Sequence, residues 1–266
     1  MSRTSEHSQD LKRFAELESV GATYTKGSRQ DQAIRTLIAR TFAPYLRPVM
    51  RGLQLGYAEG VDTALLAPLL AHLDIVEGSE AFLEAGREQG LPNAAFHHAL
   101  FERFLPEHAG ADYDAVFAVY VLEHVADPVA LLRAARAVLA PEGLLFVVTP
   151  NARALSRQLA LHMGLVPALT ALTPHDLEHG HRRVYDRVSL NRDLRAAGCR
   201  IVAQGGIMLK ILADFQLDRL IEQGILGAEQ LDGLYSLGFE YPDLCGSLFA
   251  VCDARSTEDA CHDGAP

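Results

Sequence analysis

The chain has 266 residues, of which 49% are hydrophobic, and it carries a formal net charge of -10 at pH 7. This length and hydrophobic content allow one large domain with a substantial core and exclude wholesale disorder. An acidic protein repels phosphate backbones, so we do not expect nucleic acid as a partner.

Cysteine usage and apolar segments predict a soluble, cytoplasmic protein. The four cysteines form no CxxC pair and show no metal-ligand spacing, which fits a reducing compartment. The amino terminus lacks the apolar core of a signal peptide. No apolar run approaches the ~20 residues that cross a bilayer, so we expect no membrane partner.

The first part of the chain is predicted to be helical. Apolar residues recur at helical spacing over 10–46, with a break at 21–27. We assign residues 1–46 to an N-terminal helical cap.

From residue 47, short apolar runs alternate with amphipathic helices. Strands are predicted over 49–55, 73–76, 94–99, 113–120, 144–149, 199–203 and 247–252, and helices over 61–73, 79–89, 128–139, 189–197 and 211–237. This alternation predicts βαβ units, and therefore an α/β fold with a mostly parallel sheet. The domain spans 47–255, and the polar tail 256–266 is expected to be disordered.

A glycine turn and an acidic residue indicate a nucleotide site. Gly56 and Gly60 lie between the first strand and its helix, where glycines let a ligand approach the backbone. Glu77 ends the second strand about 20 residues later, where a carboxylate can accept bonds from ribose hydroxyls. Taken singly, the turn is also typical of an ordinary βα connection and the acid of a solvated loop.

Three runs around the fourth and fifth strands carry a family resemblance. Residues 113–117 (YDAVF), 122–128 (LEHVADP) and 139–145 (LAPEGLL) resemble class I S-adenosylmethionine (SAM)-dependent methyltransferases. The similarity is greatest to the branch that includes ubiquinone-biosynthesis O-methyltransferases and natural-product and sugar methyltransferases. It covers about residues 49–202. It implies a Rossmann-like, seven-stranded, mostly parallel sheet with helices on both faces and an antiparallel last strand, and it implies SAM as the cofactor.

The resemblance also implies which residues contact SAM. They are the turn residues Gly56, Tyr57, Ala58 and Gly60, the acid Glu77 with Gly78, the loop residues Phe101 and Glu102 beside the adenine, and Tyr120 after the fourth strand. Two positions depart from the family pattern. Gln54 replaces the acid that commonly precedes the turn, and Ala58 replaces the central glycine.

His124 is the candidate catalytic residue. It follows the fourth strand, at the edge where such sheets bind ligands, and a histidine can act as a general base near neutral pH. A structural role in the following loop is the alternative. Some ubiquinone-pathway relatives bind a divalent metal through a Glu-His pair and an acid three residues earlier. That earlier position is Tyr120 here, so no metal is predicted.

The segment 151–188 is expected to face the substrate. Its candidate substrate-binding residues are His175, His179, His181, Arg182 and Tyr185. A solvated connector is the alternative, and a metal bound by the first two histidines is less favoured. The helical insert 209–244 would cover a pocket or form the face of a homodimer. In the cap, Tyr24 and Arg29 are candidates to close over the methionine end of SAM.

The sequence therefore predicts transfer of a methyl group from SAM to an oxygen or nitrogen of a small molecule. The expected substrates are natural products, sugars or amino-acid-derived metabolites. Two alternatives remain at this point: a catalytically silent SAM-fold binding module and an NAD-dependent dehydrogenase.

Overall fold

The apolar runs of the sequence form one seven-stranded sheet in the computed structural model, which describes residues 3–23 and 28–254. The strands are β1 (Arg51–Leu55), β2 (His72–Glu77), β3 (Ala94–His98), β4 (Tyr113–Val119), β5 (Leu139–Pro150), β6 (Arg200–Leu209) and β7 (Cys245–Asp253). Their order is β3-β2-β1-β4-β5-β7-β6. Strands β1 to β5 are parallel, and β7 runs antiparallel to both β5 and β6. The α/β fold predicted from the sequence is confirmed.

Helices pack on both faces of this sheet. They are α1 (Arg3–Thr23), α2 (Arg29–Phe42), α3 (Val61–Leu66), α4 (Glu80–Glu88), α5 (Phe101–Glu107), α6 (Pro128–Ala137), α7 (Leu155–His162), α8 (Pro174–Glu178), α9 (Arg187–Ala196), α10 (Asp214–Glu222) and α11 (Ala228–Glu240). Within the described residues, no helix combines the length and apolarity needed to cross a membrane.

Neighbouring residues of the central strands face opposite sides of the sheet. In β5, Leu145 and Val147 pack in one hydrophobic core with residues of α5, α6 and α9. Phe146 and Val148 pack in a second core with residues of α2, α3, α10 and α11. Because both faces are buried, the strand is a continuous apolar run rather than an alternating one.

The predicted N-terminal cap is a pair of helices. Ser28 caps α2, since its hydroxyl accepts a hydrogen bond from the Asp31 backbone N–H at 3.1 Å. The Asp218 carboxylate of α10 accepts a further bond from the Gln30 backbone N–H at 2.7 Å. The insert 209–244 is therefore attached to the start of α2. Tyr24 and the tail 256–266 lie outside the described residues.

Several elements differ from the sequence-based prediction; among them, the helix predicted over 211–237 is divided into α10 and α11. The helix predicted over 61–73 ends at Leu66, because Pro68 follows in a short 3-10 turn and cannot donate a backbone bond to a continuing helix. Residues expected as a loop after β3 form α5. Strand β6 extends to Leu209, past Gly205 and Gly206, whose missing side chains leave room for residues of β7 and for the backbone ahead of it. Glycines inside a strand resemble a break when read from sequence alone.

A charged network joins the four strands β1 to β4. The Asp74 carboxylate is buried and accepts hydrogen bonds from His97 Nε2 at 2.7 Å, Arg51 Nη2 and the Tyr113 hydroxyl at 2.9 Å each, and His72 Nε2 at 3.3 Å. Burial alone would raise the pKa of Asp74, but these hydrogen bonds outweigh it and lower the pKa below its usual value. The network therefore stabilises the charged carboxylate.

Candidate functional site

A cavity of about 990 Å³ opens at the carboxyl ends of the parallel strands. Its wall includes Leu55, Glu77, Val119 and Pro150, which end β1, β2, β4 and β5. Open α/β sheets bind ligands at this edge, where the strand order reverses around the first strand. The cavity volume lies at the upper end of the range for small-molecule sites, so it has room for a cofactor together with a second molecule.

The turn after β1 forms one side of the cavity and has an unusual backbone. Gly56, Ala58 and Gly60 all have positive φ angles, of 83°, 50° and 73°. Glycine adopts this region without cost, whereas an alanine there is strained. Gly56, Tyr57 and Ala58 line the cavity as the sequence predicted, while Gly60 lies behind the Tyr57 ring, which a side chain at position 60 would overlap.

Gln54 holds this turn rather than facing the cavity. Its side-chain nitrogen donates to the Gly56 carbonyl at 2.8 Å, and its side-chain oxygen accepts a bond from the Thr63 hydroxyl at 3.1 Å. A carboxylate at this position could accept the second bond but could not donate the first. The departure from the family pattern thus gives the turn an additional internal bond.

Glu77, the last residue of β2, contacts the turn after β1 and is 7% exposed. Its two carboxylate oxygens accept hydrogen bonds from the backbone N–H groups of Tyr57 and Ser79, at 2.8 Å each. Each oxygen of a carboxylate can accept more than one bond, so both can still receive a hydroxyl from the cavity. Glu77 lines the cavity, in accord with the predicted ribose site, and it also joins the ends of β1 and β2.

The other residues predicted beside the nucleotide divide into two groups. Phe101 and Tyr120 line the cavity. Gly78 is buried beneath Leu17 of α1, which a side chain at position 78 would overlap, and Glu102 is exposed in the first turn of α5. Neither Gly78 nor Glu102 belongs to the cavity wall. Glu102 lies outside it because α5 begins at residue 101 and directs the next side chain to solvent.

A buried ion pair that the sequence did not indicate contributes to the same wall. Arg35 of α2 is paired with Asp62 of α3 and with Asp31, and its guanidinium lies 5.3 Å from the centre of the Tyr120 ring. Arg29, which the sequence analysis favoured, is exposed on the surface beside Glu222. No local signal in α2 identifies Arg35, because its buried partner Asp62 lies on another helix.

The loop after β4 places Glu123 and His124 in the cavity wall. Glu123 is fully buried, and neither of its carboxylate oxygens has a hydrogen-bond partner among the described residues. Burial raises the pKa of its carboxyl to about 8. Burial, reinforced by the nearby His181, lowers the pKa of the His124 imidazole to about 3. His124 is consequently neutral at pH 7.

His181 faces His124 from a different part of the chain. The two rings are 4.8 Å apart between centres and nearly perpendicular. Nδ1 of His181 lies 3.2 Å from a carboxylate oxygen of Asp176. Burial would raise the pKa of Asp176, but hydrogen bonds from His181 and Thr173 outweigh it and keep this pKa well below its usual value. Asp176, which the sequence analysis did not single out, is also the N3 residue of the capping box of α8.

The remaining substrate candidates lie in different environments. His175, His179 and Arg182 line the cavity, and the first two have ring centres 4.1 Å apart. Tyr185 instead lies in the hydrophobic core, where its hydroxyl donates to Asp193 at 3.0 Å. It is therefore placed away from the predicted pocket. Its backbone pairs with Asn151 in an isolated parallel bridge beyond the end of β5.

The insert 209–244 covers part of the cavity. Lys210, Asp214 and Phe215 line it, and α11 packs along β6. This observation favours the first of the two roles that the sequence left open. The homodimer face stays a prediction.

Comparison with known proteins identifies the family. Residues 27–204, more than half of the chain, match the model of a family described as "Methyltransferase domain", and the chain belongs to this family. A curated relative is the ubiquinone biosynthesis O-methyltransferase of Marinobacter nauticus, which is 34% identical over 106 residues, or 38% of this chain and 44% of the relative. The chain spans less than half the length of the curated relatives it matches.

Solved structures share the fold at low sequence identity. The SAM-dependent methyltransferase from Mesorhizobium loti has a TM-score of 0.55 and 16% identity, over 81% of this chain and 95% of that one. The [4+2]-cyclase SpnF has a TM-score of 0.57 and 19% identity, over 82% of this chain and 80% of that one. The class I methyltransferase fold and SAM as the cofactor of this domain are thus confirmed. The assignment of individual residues to SAM or to substrate stays a prediction.

Proposed function

We propose that this protein transfers the methyl group of SAM to an oxygen atom of a small, largely apolar molecule. The observation that carries the proposal is the cavity at the carboxyl edge, whose wall combines cofactor-type groups after β1, β2 and β4 with apolar groups contributed largely by the segments after β5 and β6. Nitrogen remains the alternative acceptor. A cytoplasmic location, and the absence of nucleic acid and membrane partners, stay predictions of the sequence.

The cofactor-type groups of the cavity wall match the three parts of SAM. Glu77 has free acceptor capacity for the ribose hydroxyls. Arg35 and Asp62 present opposite charges side by side, which suits the carboxylate and the ammonium group of the methionine part. Phe101 supplies an aromatic face for the adenine. The turn at Gly56 and Ala58, where both φ angles are positive, brings the backbone close to the ligand.

The apolar residues of the cavity wall suit a hydrophobic acceptor. They include Val125, Ala154, Ala160, Val166 and Phe215. Apolar walls select apolar ligands by surface burial, while a few polar groups fix their orientation. Oxygen is favoured because the curated relatives are described as O-methyltransferases.

Methyl transfer is an in-line displacement for which the cofactor supplies the activated group. The protein chiefly positions the nucleophile and excludes water. His124 and His181 line the cavity side by side and can orient a hydroxyl. Whether His124 also removes its proton stays a prediction, which turnover of His124→Gln would measure.

Two measurements test the proposal. Calorimetric titration with S-adenosylhomocysteine, the demethylated cofactor, should give one site per chain, and NAD should give no binding. Incubation with methyl-labelled SAM and matched sets of phenols, catechols, sugars and amines should label a phenolic or catecholic oxygen. Labelling of amines alone would refute the choice of oxygen. Cofactor binding without labelling of any class would favour the silent binding module.

A further inference from the structure

Three potential metal ligands meet in the wall of the cavity. Glu123, His124 and His181 each offer one ligand atom, and these atoms all lie within 4.8 Å of one another. Glu123 and His124 follow β4, whereas His181 lies almost 60 residues later. A hydrogen bond of 2.7 Å from the Arg182 backbone N–H to the Glu123 carbonyl joins the two segments. The arrangement is therefore built by the fold and not by sequence spacing.

The buried carboxyl group of Glu123 lacks a hydrogen-bond partner among the described residues. Glu123 is 0% exposed, and within the described part of the chain neither of its carboxylate oxygens receives a hydrogen bond. The nearby Arg183 directs its guanidinium elsewhere, to the backbone carbonyls of Leu122, Val125 and Ala126. Buried charges in proteins are paired, or they coordinate metals. The vacant acceptors of Glu123 point to a cation.

His181 is held in the manner of a metal ligand. Nδ1 of His181 faces the Asp176 carboxylate at 3.2 Å, which leaves Nε2 for a metal. Asp176 is itself fixed by the Thr173 backbone N–H and hydroxyl, at 2.8 Å each. The His124 ring lies nearly perpendicular to the His181 ring, with 4.8 Å between the ring centres. Metal-bound histidines usually use their second nitrogen in this way, with a carboxylate or a carbonyl as the partner.

We propose that Glu123, His124 and His181 bind one divalent transition metal ion in the wall of the cavity. Two imidazoles with one carboxylate favour zinc, cobalt, iron or manganese over magnesium and calcium, which prefer oxygen ligands alone. Ligands of one ion lie at most about 4 Å apart, because each bond is about 2.1 Å long, so small side-chain movements complete the site.

This proposal departs from the metal-free site predicted from the sequence. That prediction rested on Tyr120, which stands where some relatives have an acid. Its hydroxyl is hydrogen-bonded to Ser247 at 2.7 Å and takes no part in the cluster. His181 supplies the third ligand in its place. A metal here would lower the pKa of an acceptor hydroxyl bound to it and thus give the oxygen nucleophile assumed in the proposed function, on which this consequence rests.

The test is a titration of the metal-free, untagged protein with Co²⁺, whose visible absorption reports coordination. We expect one site per chain, with Zn²⁺ displacing Co²⁺ and Mg²⁺ failing to do so at the same concentration. His181→Ala and Glu123→Gln should each weaken Co²⁺ binding by about 100-fold or more. Asp176→Asn should weaken it by about 10- to 100-fold, as expected for a residue that orients a ligand.

Two controls make the result specific. His175→Ala removes a histidine of the same cavity outside the cluster, and it should leave Co²⁺ affinity unchanged. Thermal unfolding and S-adenosylhomocysteine binding of each variant verify the fold, and Glu123→Gln retains the shape of the side chain if His181→Ala fails to fold. Absence of stoichiometric Co²⁺ binding, or equal binding by His181→Ala and wild type, would overturn the metal site. Cofactor binding that persists in that case leaves the methyltransferase proposal standing.

Discussion

Replacing Glu77 by glutamine changes one carboxylate oxygen into an amide NH2 group at the centre of the proposed cofactor site. The carboxylate now accepts backbone bonds from Tyr57 and Ser79 at once. The glutamine side chain can accept only one of these two backbone bonds through its amide oxygen, and its amide NH2 would face the other N–H donor. One buried donor therefore loses its partner, which costs about 1–3 kcal/mol. For a chain of this size, the midpoint of thermal unfolding should fall by roughly 2–4 °C per kcal/mol.

The same substitution should weaken cofactor binding separately. Hydrogen bonds to a charged group contribute about 1.5–3 kcal/mol, and the ribose hydroxyls would lose their charged acceptor. At about 1.4 kcal/mol per tenfold change, the affinity for S-adenosylhomocysteine should fall by about 10- to 100-fold. Calorimetric titration well below the unfolding midpoint measures this loss while the variant is still folded.

Glu102→Gln is the matched control, because it makes the same chemical change at an exposed carboxylate of α5 outside the cavity wall. Its affinity should equal that of the wild type. If Glu77→Gln binds S-adenosylhomocysteine as tightly as the wild type does, the ribose site has been placed on the wrong residue. If it loses affinity without any loss of stability, the inferred role of Glu77 in joining β1 and β2 is wrong.

Three further predictions concern other positions. Arg35→Lys should weaken S-adenosylhomocysteine binding by about tenfold in calorimetry, because lysine lacks the planar guanidinium group that binds a carboxylate through two hydrogen bonds. Arg29→Lys, on the surface of the same helix, should leave this affinity unchanged. Equal effects of the two substitutions would contradict the role of Arg35. Ala58→Gly should raise the free energy of unfolding in urea by up to about 1 kcal/mol, since glycine removes the strain at a φ of 50°, and a decrease would argue against that backbone geometry. The folded-state pKa of Asp74 is lowered, so its contribution to stability is present above the unfolded pKa of about 3.9 and is lost as the pH falls toward the folded value. Asp74→Asn should therefore be less stable than the wild type in urea at pH 7, with a difference that shrinks on acidification below about pH 4, and a constant difference would refute the charged network.

The sheet could be predicted from the sequence because each strand is defined locally. A run such as 144–148 is apolar at every position, since both of its faces are buried, and this signal needs no knowledge of distant residues. The turn at Gly56 and the acid at Glu77 were equally accessible, because each lies at the end of its own strand. Parallel strands then bring such ends to the same edge.

The parts that could not be predicted depend on contacts between distant segments. Nothing near His181 indicates that its ring lies against His124, because the approach is set by backbone pairing between the loops after β4 and β5. Arg35 was overlooked for a similar reason. A charged residue on a buried helical stripe is unexpected until the opposite charge of Asp62, on another helix, is placed beside it.

The Tyr57 ring behind the glycine turn restricts how this site can be altered by mutation. Any side chain at Gly60 would meet the ring and would also be strained by a φ of 73°. Trimming Tyr57 removes the first obstacle and leaves the second, which costs about 1–2 kcal/mol. Laboratory evolution of the acceptor pocket should therefore gain its useful changes elsewhere, and a library that randomises position 60 would spend most of its members on misfolded chains.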